Sequence, residues 1–204
     1  MKGILTVTVL LLFCSLAFGQ GFSVGANLGG SYNSMNPDDP TMENLTGLGF
    51  GGGLVFEVDF LPMLGVELDI LYSQYKYSYS EELIDITMTY NNLVVPILLK
   101  YKFAMPTISP YFVAGPSIIK NLSGETEITL MDITVSTDFE DDELELDFGI
   151  QFGAGANIGV TPAINMSPYV RFQYNLTGDL DWTDGFKESM YDILFGINFT
   201  YKIK

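Results

Sequence analysis

The sequence predicts an all-β protein: an eight-stranded antiparallel up-and-down transmembrane β-barrel with short periplasmic turns and long acidic extracellular loops. Three observations predict it. Apolar and polar residues alternate with period two over most of the chain, which is strand periodicity. The alternating runs are mostly longer than the ~5–6 residues of a soluble strand and reach the ~9–11 that a tilted strand needs to cross a bilayer. The connections alternate between tight and long, as in barrels that cross a membrane repeatedly.

The N-terminus reads differently. Lys2 precedes the apolar run Ile4–Phe18, and the small residues Ala17 and Gly19 stand before Gln20. That is the pattern of a secretory signal peptide over residues 1–19, leaving a barrel domain over 20–204. Phe13 before Cys14 is too large for a lipoprotein signal, so Cys14, the only cysteine, leaves with the leader. The exported chain then has no disulfide to rely on.

The strands follow in order. Phe22, Val24, Ala26 and Leu28 open the first, and the second runs from Leu48 through Leu54 and Phe56 to Phe60. The third carries Val66, Leu68, Ile70 and Tyr72, and the fourth Leu93 to Phe103. The fifth spans about Ser109–Lys120 with its facing unassigned. The sixth alternates Phe148, Ile150, Phe152 and Ala154 with Gly149, Gln151 and Gly153. The seventh alternates Val170, Phe172 and Tyr174 with Arg171 and Gln173, and the eighth runs from Tyr191 to Ile203. Pro62, Pro106 and Pro162 mark the tight turns, and residues 34–46, 80–86, 121–143 and 177–188 form the long loops.

Charge sets the environment. The four long loops hold 18 of the 25 acids and one base, Lys187. Elsewhere acids and bases balance, mostly opposite the large apolar residues. An apolar face outward and a small, polar face inward suits lipid around a narrow barrel. Phe60, Phe103 and Tyr201 at the turn end, with Tyr32, Tyr72, Tyr174 and Tyr191 at the other, are placed to girdle the two interfaces. In the lumen, Glu57, Glu67, Asp69, Lys100 and Arg171 are expected to form a charge cluster, with Asp59, Lys102 and Lys202 near it.

The segments Asn92–Phe103 (NLVVPILLKYKF), Ser109–Pro116 (SPYFVAGP), Asp147–Gly155 (DFGIQFGAG) and Tyr169–Asn175 (YVRFQYN) resemble strands of PorT-like outer-membrane barrels of Bacteroidetes. The resemblance covers nearly the whole exported chain. It implies a small outer-membrane barrel in such a bacterium. One member of that family takes part in a secretion and gliding system, and the family brings no catalytic residues to carry over. The long acidic third loop lies outside the shared pattern.

Function classes narrow accordingly. The net charge of −16 repels nucleic-acid backbones, so no nucleic-acid partner is expected. No histidine is present, which removes His-based triads and His metal sites. No enzymatic activity and no cofactor are expected. The expected partners are outer-membrane lipid and envelope proteins, met through the loops at Asp138, Glu140, Asp141, Asp142 and Glu143, and at Asp179, Asp181, Trp182 and Asp184. Neither acidic group has a recognisable cation-ligand spacing. Two other readings compete: a secreted soluble barrel holding a small apolar ligand, and a lipid-modifying barrel enzyme working without histidine.

Overall fold

The computed structural model describes residues 21–36, 44–81, 84–103, 105, 108–130, 133–139, 146–176 and 189–203. The signal-peptide expectation for 1–19 lies outside them. Among the described residues nine strands are formed: β1 (Gly21–Asn36), β2 (Leu45–Leu61), β3 (Leu64–Glu81), β4 (Ile84–Lys102), β5 (Ile108–Leu130), β6 (Ile133–Asp138), β7 (Leu146–Gly159), β8 (Ile164–Asn175) and β9 (Ser189–Lys202).

Eight of them close into a ring. Each consecutive pair is antiparallel, β1 pairs with β9 through registers such as Asn27↔Asn198, and β4 pairs with β5. Closure satisfies every wall strand on both sides, which hydrocarbon requires because an exposed backbone group there has no water to bond. The short strand β6 lies outside the ring and, among the described residues, pairs only with the far end of β5.

Side-chain facing follows the alternation. Leu28, Phe50, Leu54, Ile97, Leu99, Phe152, Val170 and Phe195 point outward and are exposed, forming the lipid-facing belt. The girdle aromatics Tyr32, Phe60, Tyr72, Phe103, Tyr174 and Tyr201 are exposed as well. In β5 the facing is now fixed: Tyr111, Val113, Ser117 and Ile119 point inward and are buried, while Phe112 and Ile118 point outward. Glycines let side chains cross the narrow interior. A Cβ on Gly155 would strike the Tyr111 ring, and one on Gly196 would come 2.7 Å from the Tyr169 hydroxyl.

Two loop expectations are corrected. Residues 80–86 are not a long loop, because β3 runs to Glu81 and β4 resumes at Ile84. Residues 121–143 are largely strand, since β5 continues to Leu130 and β6 folds back along it. The physical reason is mutual pairing: residues 84–91 of β4 bond 123–130 of β5 across Ile86↔Ile128 and Ile84↔Leu130. The β3–β4–β5 wall therefore continues beyond the ring. On the β2 side the last ring pair, Thr46↔Ser78, lies level with Thr87, so residues 84–86 extend the wall past it by about 10 Å at ~3.4 Å per residue.

Candidate functional site: a filled lumen and the sheet above it

The lumen at the turn end holds an unbroken chain of ion pairs. Asp59 pairs with Lys102, and Lys102 reaches Glu57 at 2.8 Å. Lys100 bridges Glu57 at 2.8 Å and Glu67 at 2.7 Å. Arg171 then joins Glu67 to Asp69, the latter at 2.7 Å. Acids and bases alternate along this line, four carboxylates against three cations. Period-two spacing builds it: Glu57 and Asp59 on β2, Glu67 and Asp69 on β3, and Lys100 and Lys102 on β4 each share one inward face. Register completes the alignment, with Glu57 opposite Glu67 and Gly65 opposite Lys100. Arg171 enters from β8 on the other wall.

Aromatic rings flank the two innermost cations. The Lys100 ammonium lies 4.1 Å over Tyr111 and the Arg171 guanidinium 4.2 Å over Tyr169. Asn27 donates to the Tyr169 hydroxyl at 2.8 Å, and Asn198 donates to Glu67 at 3.3 Å. Lys202 is exposed at the end of β9 and stands outside the ion-pair chain.

Toward the loop end the lumen changes character. Gln151 donates to Gln173 at 2.7 Å, and Gln173 donates to Asp192 and to the Tyr75 hydroxyl, each at 3.1 Å. Above these lies an apolar plug of Met35, Leu71, Tyr77, Tyr90, Val94, Ile119 and Met190. Phe139 packs on the plug, its ring 5.2 Å from that of Tyr90. The period-two reading assigned the ion-pair residues to one face but missed the plug. Tyr75 and Tyr77 continue the inward face of Glu67, Asp69 and Ser73, which is the signal that would have found them.

Among the described residues no group of acids, cysteines or histidines is arranged to hold a metal. The proposed loop contacts divide. Asp138 is exposed on β6, whereas Glu140, Asp141, Asp142, Glu143, Asp179, Asp181, Trp182 and Asp184 lie outside the described residues.

The sheet above the ring has two unlike faces. Cross-strand rows Ile86–Ile128–Val135 and Ile84–Leu130–Ile133 put six aliphatic side chains on one face. Rows Asp85–Thr129–Thr134, Thr87–Glu127–Ser136 and Thr89–Glu125–Asp138 make the other face hydroxylic and acidic, with Lys76 beside Thr89 on β3.

The chain matches the family model described as outer membrane protein beta-barrel domain over residues 5–202. No curated protein sequence matches it. Among solved structures, Neisserial surface protein A is 14% identical, covering 89% of this chain and 97% of that one at a TM-score of 0.51. OprG of Pseudomonas aeruginosa is 15% identical, covering 91% and 96% at 0.50. The outer membrane protease OmpT of Escherichia coli is 9% identical, covering 91% and 97% at 0.51. These likenesses establish a shared fold. The chain belongs to the outer-membrane β-barrel family, and its place is the outer membrane.

Proposed function

We propose that this outer-membrane barrel is a non-enzymatic anchor that presents an interaction surface at its loop end. The observation that carries the reading is the division of the molecule into a filled lumen and a projecting sheet. Within the described ring, ion pairs, glutamines, tyrosines and the apolar plug occupy the interior, which argues against a diffusion pore and against a cavity for a small apolar ligand. The outward belt of large apolar residues argues against a secreted soluble barrel. OmpT is a protease on this fold, so the fold itself does not exclude catalysis. The lumen carboxylates here are tied to lysine and arginine rather than poised beside a nucleophile, which favours a structural role for them.

Residues 1–19 serve as the export signal in this reading, and the tight turns face the periplasm. In this reading the acidic segments at 138–143 and 179–184, which follow β6 and β8 in the sequence, add to the contact surface. The PorT-like resemblance favours a Bacteroidetes envelope and a partner in its secretion or envelope machinery. The test is in-cell crosslinking from a photoreactive residue at Ser136, compared with one at Leu54 in the lipid belt. A protein adduct specific to Ser136 supports the reading. Lipid adducts alone at both positions, on cells grown in every condition where the protein is made, would sink it.

A further inference from the structure

We infer that the free edge of β6 is a docking site for an extended segment of another protein that alternates apolar and basic residues. The inference rests on the interaction reading above and names the partner's chemistry. β6 is bonded to β5 on one side, and among the described residues nothing pairs with its other side. The Phe139 amide donates to the Gly124 carbonyl at 3.0 Å, which fixes the hydrogen-bonding phase of this hairpin. In an antiparallel pair, bonded and non-bonded residue pairs alternate. Ile133, Val135 and Thr137 therefore turn their backbone groups to β5. Thr134, Ser136 and Asp138 turn theirs to the open edge. The short contact between the Thr129 and Thr134 hydroxyls, 2.9 Å, agrees with a non-bonded pair at that row.

An unpaired edge with aligned donors and acceptors is a template for strand addition. The two faces beside the edge specify what is added. Ile133 and Val135 are 70% and 59% exposed, large values for aliphatic residues on a sheet that stands beyond the lipid belt. Alternate side chains of an added strand fall beside them and are favoured when apolar. The other set falls beside Asp138 and Ser136, with Glu127 and Glu125 one strand away, and is favoured when basic. A second copy of this chain fits less well, because it brings a second acidic loop end against this one and supplies no basic residue from β6.

The test uses the full exported chain folded in phospholipid nanodiscs. The probes are an eight-residue peptide alternating Val and Lys, a Val–Glu counterpart, and a block peptide of four Val followed by four Lys. Binding is read by fluorescence anisotropy and by hydrogen–deuterium exchange. The Val–Lys peptide is expected to bind, more weakly as salt rises, and to protect the amides of Thr134, Ser136 and Asp138. Ser136→Pro removes one edge donor without touching a β5–β6 bond and should weaken binding about tenfold. Its folded gel band should be unchanged. Equal binding of the alternating and block peptides, or of the wild type and Ser136→Pro, overturns the inference. So does protection of those three amides before peptide is added, which would mean that the edge is already covered by this chain or a second copy. Such results leave the wider reading standing if Ser136 still crosslinks to a protein in cells. Loss of that adduct too removes both.

Discussion

Replacing Arg171 by methionine should be among the most damaging single changes in the lumen. Arg171 is 1% exposed and holds two carboxylates, one of them Asp69 at 2.7 Å. Glu67 keeps Lys100 when the guanidinium is removed, but among the described residues Asp69 has no second cation within ion-pairing distance. Breaking a buried pair by deleting one partner costs about 3–5 kcal/mol, because a charge is left buried without compensation. The stacking on Tyr169 adds about 0.5–2 kcal/mol. The expected total is therefore about 5 kcal/mol, a large part of the ~5–15 kcal/mol that holds a typical domain folded.

Lys102→Met provides the comparison. Its side chain is 11% exposed, its partner Asp59 is 25% exposed, and Glu57 keeps Lys100. Asp59 reaches water there, so a smaller cost of about 1–2 kcal/mol is expected. The assay is urea unfolding in phospholipid vesicles, followed by the gel shift between folded and unfolded bands. Asp69→Asn in the Arg171→Met background should recover about 1–3 kcal/mol by removing the stranded charge. The reasoning fails if Arg171→Met costs no more than Lys102→Met, or if Asp69→Asn makes the double variant worse.

Further outcomes follow from the same geometry. Phe152→Arg, outward in the lipid belt, should cost roughly 2–4 kcal/mol in bilayers, with the penalty falling for outward positions nearer the interfaces. A flat profile with depth would contradict the facing. Gly196→Val crowds the Tyr169 hydroxyl and the Leu28 carbonyl and should cost about 1–3 kcal/mol in the same urea assay. Tyr169→Phe in that background should relieve part of the loss. Splicing out residues 124–142 should leave a folded gel band, since the ring closes below through pairs such as Lys100↔Val113. The urea midpoint should fall, because the splice removes Phe139 from the plug and strips 84–90 of β4 of its pairing with β5, leaving only that with β3. Loss of the folded band would show that the extension is needed for closure.

The barrel was legible because lipid enforces a simple code. Each wall strand must show apolar residues to hydrocarbon, so Leu93, Val95, Ile97 and Leu99 alternate with Val94, Pro96, Leu98 and Lys100 without interruption. The same code places Glu57, Glu67, Lys100 and Arg171 on inward faces, although sequence alone gives no pairing between them. Asp192 and Gln173 lay on assigned inward faces too. Their joining depends on the β8–β9 register, in which they stand directly opposite. Tyr111 and Ile119 were out of reach while the facing of β5 was open. Both faces of that strand carry aromatic or aliphatic residues, and alternation then gives no preference.

The projecting sheet was illegible for a different reason, and that reason bears on its role. Above the membrane no lipid demands an apolar outer face, so the code inverts. The aliphatic row turns to the lumen side while Glu125 and Glu127 take the outer side. A register shift between Asn91 and Asn92 makes the change: Asn92 faces Asn121, Asn91 faces Ser123, and Leu122 is left over. One inserted residue moves every later side chain of a strand to the opposite face. Read in the phase of residues 109–120, the segment from 123 onward places its carboxylates inward and looks like a loop. Read in the shifted phase, it is an amphipathic strand. The inserted residue thus separates a wall built for lipid from a sheet built for water on one side. The Ile128, Leu130, Ile133 and Val135 side chains of that sheet are exposed, although no hydrocarbon lies above the membrane to receive them. An exposed apolar surface of this kind marks an interaction site, which is the physical ground for the partner proposed there.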